Sequence, residues 1–157
     1  MRASAASARN VRGDADTSQK PMPYRILVVD DDPVVTRFAG WALRQAGFEI
    51  LVAENGKRAM QTIEEHSVDM VITDIVMPEM EGLELITALR KSQPSLPIVA
   101  ISGAFDGKYL EMAVALGARA ALAKPFSAEK LLKTVRQTLN AGPASTEAAT
   151  PSTETLM

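Results

Sequence analysis

Cysteine is absent from all 157 residues. A disulfide framework and a thiolate metal site are therefore excluded, and the composition suits a reducing, cytoplasmic setting. Neither sign of charge is in surplus: 17 Lys and Arg stand against 19 Asp and Glu, a formal net charge of −2. Bulk electrostatics thus supply no reason to bind nucleic acid. No apolar run approaches the ~18 residues that a membrane-crossing helix requires, so no membrane partner is expected. Histidine is reduced to one residue, His66, expected on the surface near the end of a helix. Arg, Ser and Ala near the N-terminus are residue types of an organelle-targeting leader, but Asp14, Asp16 and the lack of an amphipathic stripe argue against one.

What is present is 46% hydrophobic residues, enough for the core of one domain. Residues 1–23 are small and polar, and residues 141–157 are rich in Ala, Ser, Thr, Pro and Glu. Neither segment carries the apolar surface that would offset its ordering entropy, so both are expected to be disordered tails around a domain at 24–140. Inside that domain apolar runs alternate with helical patterns. Strands are predicted at 25–30, 48–53, 69–74, 97–101 and 119–123. Helices are predicted at 33–46, 56–65, 82–91, 107–116 and 127–140. In the first helix Val35, Phe38, Ala39, Ala42, Leu43 and Ala46 make the apolar stripe, and Trp41 is expected to pack beside it. Asp32 and Pro33 suit its N-cap and first turn, and Gly47 its end. Five strand–helix units with nearly continuous apolar strands predict an α/β fold: a doubly wound, five-stranded parallel sheet of order 2-1-3-4-5 with helices on both faces. Ligands of such sheets bind at the carboxyl ends of the strands.

The residues at those ends are Asp30-Asp31-Asp32, then Asp74, then Ser102, then Lys124-Pro125. Clustered carboxylates repel one another unless a cation lies among them, and a hard oxygen-ligated ion such as Mg²⁺ answers that need. Lys124 and Ser102 would hold the remaining oxygens of a phosphoryl group. Two phosphoryl-transfer arrangements fit. Asp30-Asp31-Asp32 resembles the Asp-x-Asp motif of haloacid-dehalogenase-like phosphohydrolases, with Asp30 as nucleophile, Asp32 as acid, and Ile101-Ser102 and Lys124 as the later motifs. That arrangement lacks the acidic pair expected after Lys124, has no room for a substrate cap, and leaves Asp74 without a role.

The second arrangement uses every residue. Val29-Asp30-Asp31, Asp74-Ile75-Val76-Met77-Pro78, Ile101-Ser102-Gly103 and Lys124-Pro125-Phe126, in this order, resemble the receiver domain of bacterial two-component response regulators, of the stand-alone, chemotaxis-regulator-like kind. The resemblance runs from Tyr24 to about Asn140. It implies that Asp74 accepts a phosphoryl group from a histidine kinase or histidine phosphotransfer protein. It implies that Asp31, Asp74 and the backbone carbonyl of Val76 bind Mg²⁺, with Asp30 acting through a coordinated water. Lys124 would pair with the acids and then with the phosphoryl oxygens, and Ser102 would hydrogen-bond the phosphoryl group. The protein would be a signalling phosphoacceptor rather than an enzyme with its own substrate; a phosphate sink without output is the further possibility.

One position departs from the pattern. Many receivers carry Tyr or Phe three residues before the lysine, and here that residue is Ala121. The signal is therefore expected to leave by another route: the loop after Ser102, with Gly103, Ala104 and Gly107, and the fourth helix. On that helix Leu110, Ala113, Val114 and Gly117 are expected to face the sheet, and Tyr109, Met112 and Leu116 to form a second apolar stripe. The fourth helix and fifth strand are the expected surface for a protein target or for self-association.

Overall fold

Three nearly continuous apolar runs account for the centre of the molecule. In the computed structural model, which describes residues 23–76, 82–103 and 108–141, they form β1 (Arg25–Val29), β3 (Met70–Asp74) and β4 (Ile98–Ser102). Every residue of β3 and β4 is buried, and so is all of β1 after Arg25. Strands covered on both faces have no solvent side to alternate toward, which is why their sequences read as unbroken apolar runs. The flanking β2 (Glu49–Ala53) and β5 (Ala120–Ala123) are the edges and are partly exposed. The order is β2-β1-β3-β4-β5, with all four pairings parallel.

The helices are α1 (Pro33–Gln45), α2 (Gly56–Glu65), α3 (Gly82–Ser92), α4 (Lys108–Leu116) and α5 (Ala128–Ala141). Alternation along each strand divides the core in two. Leu27, Val29, Val71, Ile98 and Ala100 meet Ala59 of α2, Leu85, Ile86 and Leu89 of α3 and Ala113 of α4. Ile26, Val28, Met70, Ile72, Val99 and Ile101 meet Ala39, Ala42 and Leu43 of α1 and Leu131 and Val135 of α5. Each large aliphatic side chain fully buried this way contributes about 1.5–3 kcal/mol.

All boundaries agree with the predicted ones to within one residue, and the small differences have local causes. Asp30 still donates its N–H to Ala53 O at 3.1 Å, but its side chain already belongs to the turn. Ser127 caps α5 rather than opening it, its Oγ accepting from the Lys130 N–H at 3.0 Å. The tails, apart from Pro23 and Ala141, and Met77, Pro78, Ala104 and Gly107 lie outside the described residues.

Two helix faces differ from expectation. Trp41 is 55% exposed and Phe38 37% exposed, because α1 turns its small residues to the sheet and Thr36 and Gly40 occupy buried positions beside Ala39 and Leu43. On α4, Tyr109 packs on the core rather than joining the second stripe, while Val114 is 45% exposed rather than facing the sheet. Tyr109 and Ala113 are spaced by four and lie along one line of the helix, with Ala113 buried. Val114 is a further 100° round the axis. The remaining exposed stripe is Met112 and Leu116. His66 is exposed at the end of α2, as expected.

Candidate functional site

The parallel register brings the ends of β1, β3, β4 and β5 to one edge. Asp30 follows β1, Asp74 ends β3, Ser102 ends β4 and Lys124 follows β5, with the Lys124 N–H donating to Ser102 O at 3.0 Å. Asp30, Asp74 and Ser102 are buried and Asp31 is exposed. Carboxylate oxygens of Asp30, Asp31 and Asp74 lie within 4.8 Å of one another. The Lys124 ammonium stands between two of them, 2.9 Å from Asp30 Oδ2 and 3.3 Å from Asp74 Oδ1. Val76 lies just beyond Asp74 at the same edge and is half-exposed.

Asp32 is the run's odd member. Its Oδ1 accepts from the Val34 N–H at 2.9 Å, capping α1, while its own N–H donates to Asp30 Oδ1 at 2.9 Å. It is outside the carboxylate cluster, so the Asp-x-Asp arrangement with Asp32 as the acid finds no support in the geometry. Asp32→Ala should cost about 0.5–2 kcal/mol of stability, the usual range for a lost N-cap, with Mg²⁺ affinity retained. Asp31→Ala should show the opposite pattern. Urea unfolding and Mg²⁺ titration of the two variants check this, and equal losses of metal affinity would refute the division of roles.

The electrostatics follow from burial. Asp74 is pushed up to about 6, first by desolvation and then by the Asp30 charge, against the opposing pull of Lys124. Asp30 is also raised by burial, although the Asp32 N–H and Lys124 both favour its charged form. Burial alone would lower Lys124, but the two carboxylates outweigh it and hold the ammonium above its ordinary value. Both carboxylates stay raised despite the pairing, so one ammonium does not neutralise the cluster. Asp30 Oδ2 is buried and, with no conventional hydrogen-bond partner, meets the Lys124 ammonium at 2.9 Å as an ion pair. An under-satisfied buried oxygen among converging carboxylates fits a hard divalent cation such as Mg²⁺.

Three supporting contacts were not legible as site features. The buried Thr73 hydroxyl donates to Asp74 O at 2.8 Å. Gly82, predicted only as the first residue of the third helix, starts α3 directly against the backbone of Asp74, and its N–H donates to Ile75 O at 2.8 Å. Gly103, at the other wall, sits against the Lys124 stem, where a Cβ would be 3.2 Å from Lys124 Cβ. The signals available in the sequence were the Thr-Asp pair and the glycines themselves, and neither names a partner.

Comparison with known proteins agrees with this geometry. The profile of the family described as response regulator receiver domain matches residues 26–136. The chemotaxis protein CheY of Bacillus subtilis (strain 168) is 34% identical over 120 residues, which is 76% of this chain and 100% of that protein. The response regulator MprA of Mycolicibacterium vanbaalenii is 35% identical over 118 residues, 75% of this chain but only 51% of the relative. Among solved structures, a putative response regulator from Chloroflexus aurantiacus J-10-fl superposes with a TM-score of 0.73 at 31% identity, covering 76% of this chain and 99% of that one.

Proposed function

Since the chain belongs to the response-regulator receiver family, we propose that Asp74 is the residue that takes up the phosphoryl group from a histidine kinase or histidine phosphotransfer protein. The observation that carries this reading is the placement of Asp74: buried at the end of β3, 3.3 Å from the Lys124 ammonium and clustered with Asp30 and Asp31. In this assignment Asp31, Asp74 and the Val76 carbonyl would hold Mg²⁺, with Asp30 acting through a coordinated water. The ion supplies neutralisation of the charge that two acids and an incoming phosphoryl group bring together.

An Asp74 Oδ forms the new bond to phosphorus as the phosphorus–nitrogen bond of the donor imidazole breaks, and the electron pair stays with the imidazole. Lys124 shifts its ammonium from the carboxylates toward the phosphoryl oxygens. The Ser102 hydroxyl donates to one of them. Positioning and charge stabilisation carry the rate, because the phosphoryl group itself needs little covalent help. A group titrating near 6 is mostly ionised at neutral pH, so Asp74 stands ready as the nucleophile.

Output follows a route that needs no rotating ring, because Ala121 is a small, exposed residue on β5. The bond from the phosphoryl group to Ser102 is the differential contact that draws on the end of β4, and the exposed Met112 and Leu116 of α4 are the surface where a protein target or a second copy reads it. Among the described residues no helix is long and apolar enough to cross a membrane. A cytoplasmic location fits the cysteine-free composition.

With Mg²⁺ and a phosphohistidine donor, the chain should gain one acid-stable, base-labile phosphoryl group, and a chelator should prevent it. Intact mass and peptide mapping locate the label. Asp30→Asn should slow labelling without removing it. A label that maps to Asp30 would overturn the assignment in favour of a hydrolase-like nucleophile.

A further inference from the structure

We propose that α3 and α4 form a face on which two copies of this chain associate, antiparallel about a two-fold axis; this rests on the reading of Met112 and Leu116 as the output surface and commits it to a second copy. A shallow depression of about 550 Å³ lies along the outer side of α3, lined by Leu83, Glu84, Thr87, Ala88 and Lys91, with Leu116 of α4 as its far wall. Met112 and Leu116 are 48% and 40% exposed, one turn apart on α4. Glu84 and Lys91 are both exposed, and among the described residues neither has an ion-pair partner.

An unpaired acid and an unpaired base seven residues apart stand two turns from each other on nearly one line of the helix. A partner of single charge sign would satisfy one of them and repel the other. An antiparallel copy of the same helix satisfies both. With the axis passing between Thr87 and Ala88, Glu84 of each copy stands opposite Lys91 of the other, the reciprocity that defines an isologous contact. Thr87 and Ala88, at the crossing, are small enough for the two helices to approach closely. α3 and α4 pack on the same face of the sheet and run in the same direction, since each returns from the carboxyl edge of parallel strands. The same axis therefore sets Met112 and Leu116 of α4 against their counterparts. Burial of these apolar side chains supplies the affinity. The ion pairs fix the register, because exposed pairs contribute little by themselves.

Sedimentation equilibrium of the full chain should show a concentration-dependent dimer. Glu84→Lys and Lys91→Glu each turn both ion pairs into like-charge contacts, and each should weaken association about tenfold. Mixed in equal amounts, the two variants should associate with each other at close to the parent strength, because the mixed pair restores attraction at both contacts. The double swap Glu84→Lys with Lys91→Glu should recover in the same way. Met112→Ser should weaken the parent and the mixed pair alike. All three positions are exposed, and circular dichroism checks that each variant is folded. A chain that stays monomeric up to about 1 mM would overturn the proposal. So would single swaps that leave the dimer unchanged, or a mixture that associates no better than its components. The Met112 methyl signal, recorded by NMR with and without beryllofluoride, tests the output reading separately. A signal that responds in a monomeric chain removes the second copy and leaves the surface to a different target, whereas a signal that never responds removes the output reading itself.

Discussion

Asp74→Asn is expected to make the metal-free protein more stable at pH 7 by about 3 kcal/mol while abolishing its phosphoryl label. The carboxyl of Asp74 titrates near 6 in the folded protein, against 3.8 ordinarily, with desolvation as the leading cause. The sign follows from linkage. Folding favours the protonated acid, so the contribution of this group to stability is fully present below about pH 4 and is lost as pH rises through about 6. The gap, at roughly 1.4 kcal/mol for each pH unit, gives the quoted figure. Asp30 is raised in the same direction and adds to the trend. Lys124, held above its ordinary value, keeps its contribution throughout this range. Urea unfolding in chelator at pH 4 and pH 7 should therefore show a variant close to the parent at the lower pH and clearly more stable at the higher one. Mg²⁺ at a hundred times the dissociation constant should stabilise the parent by about 2.7 kcal/mol and so remove nearly all of that difference. If Asp74→Asn lowers stability equally at both pH values, burial of Asp74 carries no such cost.

Gly82→Ala is expected to damage both stability and phosphorylation, although residue 82 offers no side chain to the chemistry. A Cβ there would stand 2.1 Å from Asp74 O, 2.6 Å from Ile75 Cα and 2.9 Å from Asp74 C. All three are backbone atoms, so no rotamer change relieves the overlap. Either α3 withdraws from the sheet or the end of β3 moves. Overpacking at a buried contact costs about 1–3 kcal/mol, and the Gly82 N–H bond to Ile75 O is lost with it. A shift of β3 also misplaces the Asp74 carboxylate relative to Lys124. A displacement of about 1 Å at a reacting group costs on the order of a hundredfold in rate. Labelling rates measured at a temperature where circular dichroism shows the variant folded separate the two effects. A folded variant that labels at the parent rate would show that α3 does not hold Asp74 in place.

Much of this protein was determined by local sequence alone. The runs Ile26–Val29, Met70–Ile72 and Ile98–Ile101 are too continuously apolar for anything but strands covered on both faces, and the stripes of α1 and α5 have helical spacing. These follow from periodicity, which any short window contains. The edge residues Asp30, Asp31, Asp74, Ser102 and Lys124 were legible for a related reason: strict alternation of strand and helix forces a parallel sheet, and every strand then ends on the same side. The cap at Asp32 was legible because capping is a contact two residues long.

Tertiary structure decided what depends on distance between segments. Periodicity gave Phe38, Trp41 and Val114 apolar helix positions, yet their exposure was settled by which neighbouring element covers each flank. The intimacy of Gly82 with Asp74 arises because α3 begins on the strand it follows, a closeness that no composition encodes. Lys124 reaches Asp30 at 2.9 Å only through the register that aligns β5 with β4 and β4 with β3. The elevated Asp74 carboxyl is a property of the assembled site, because desolvation exists only after the surrounding strands and helices have excluded water from it.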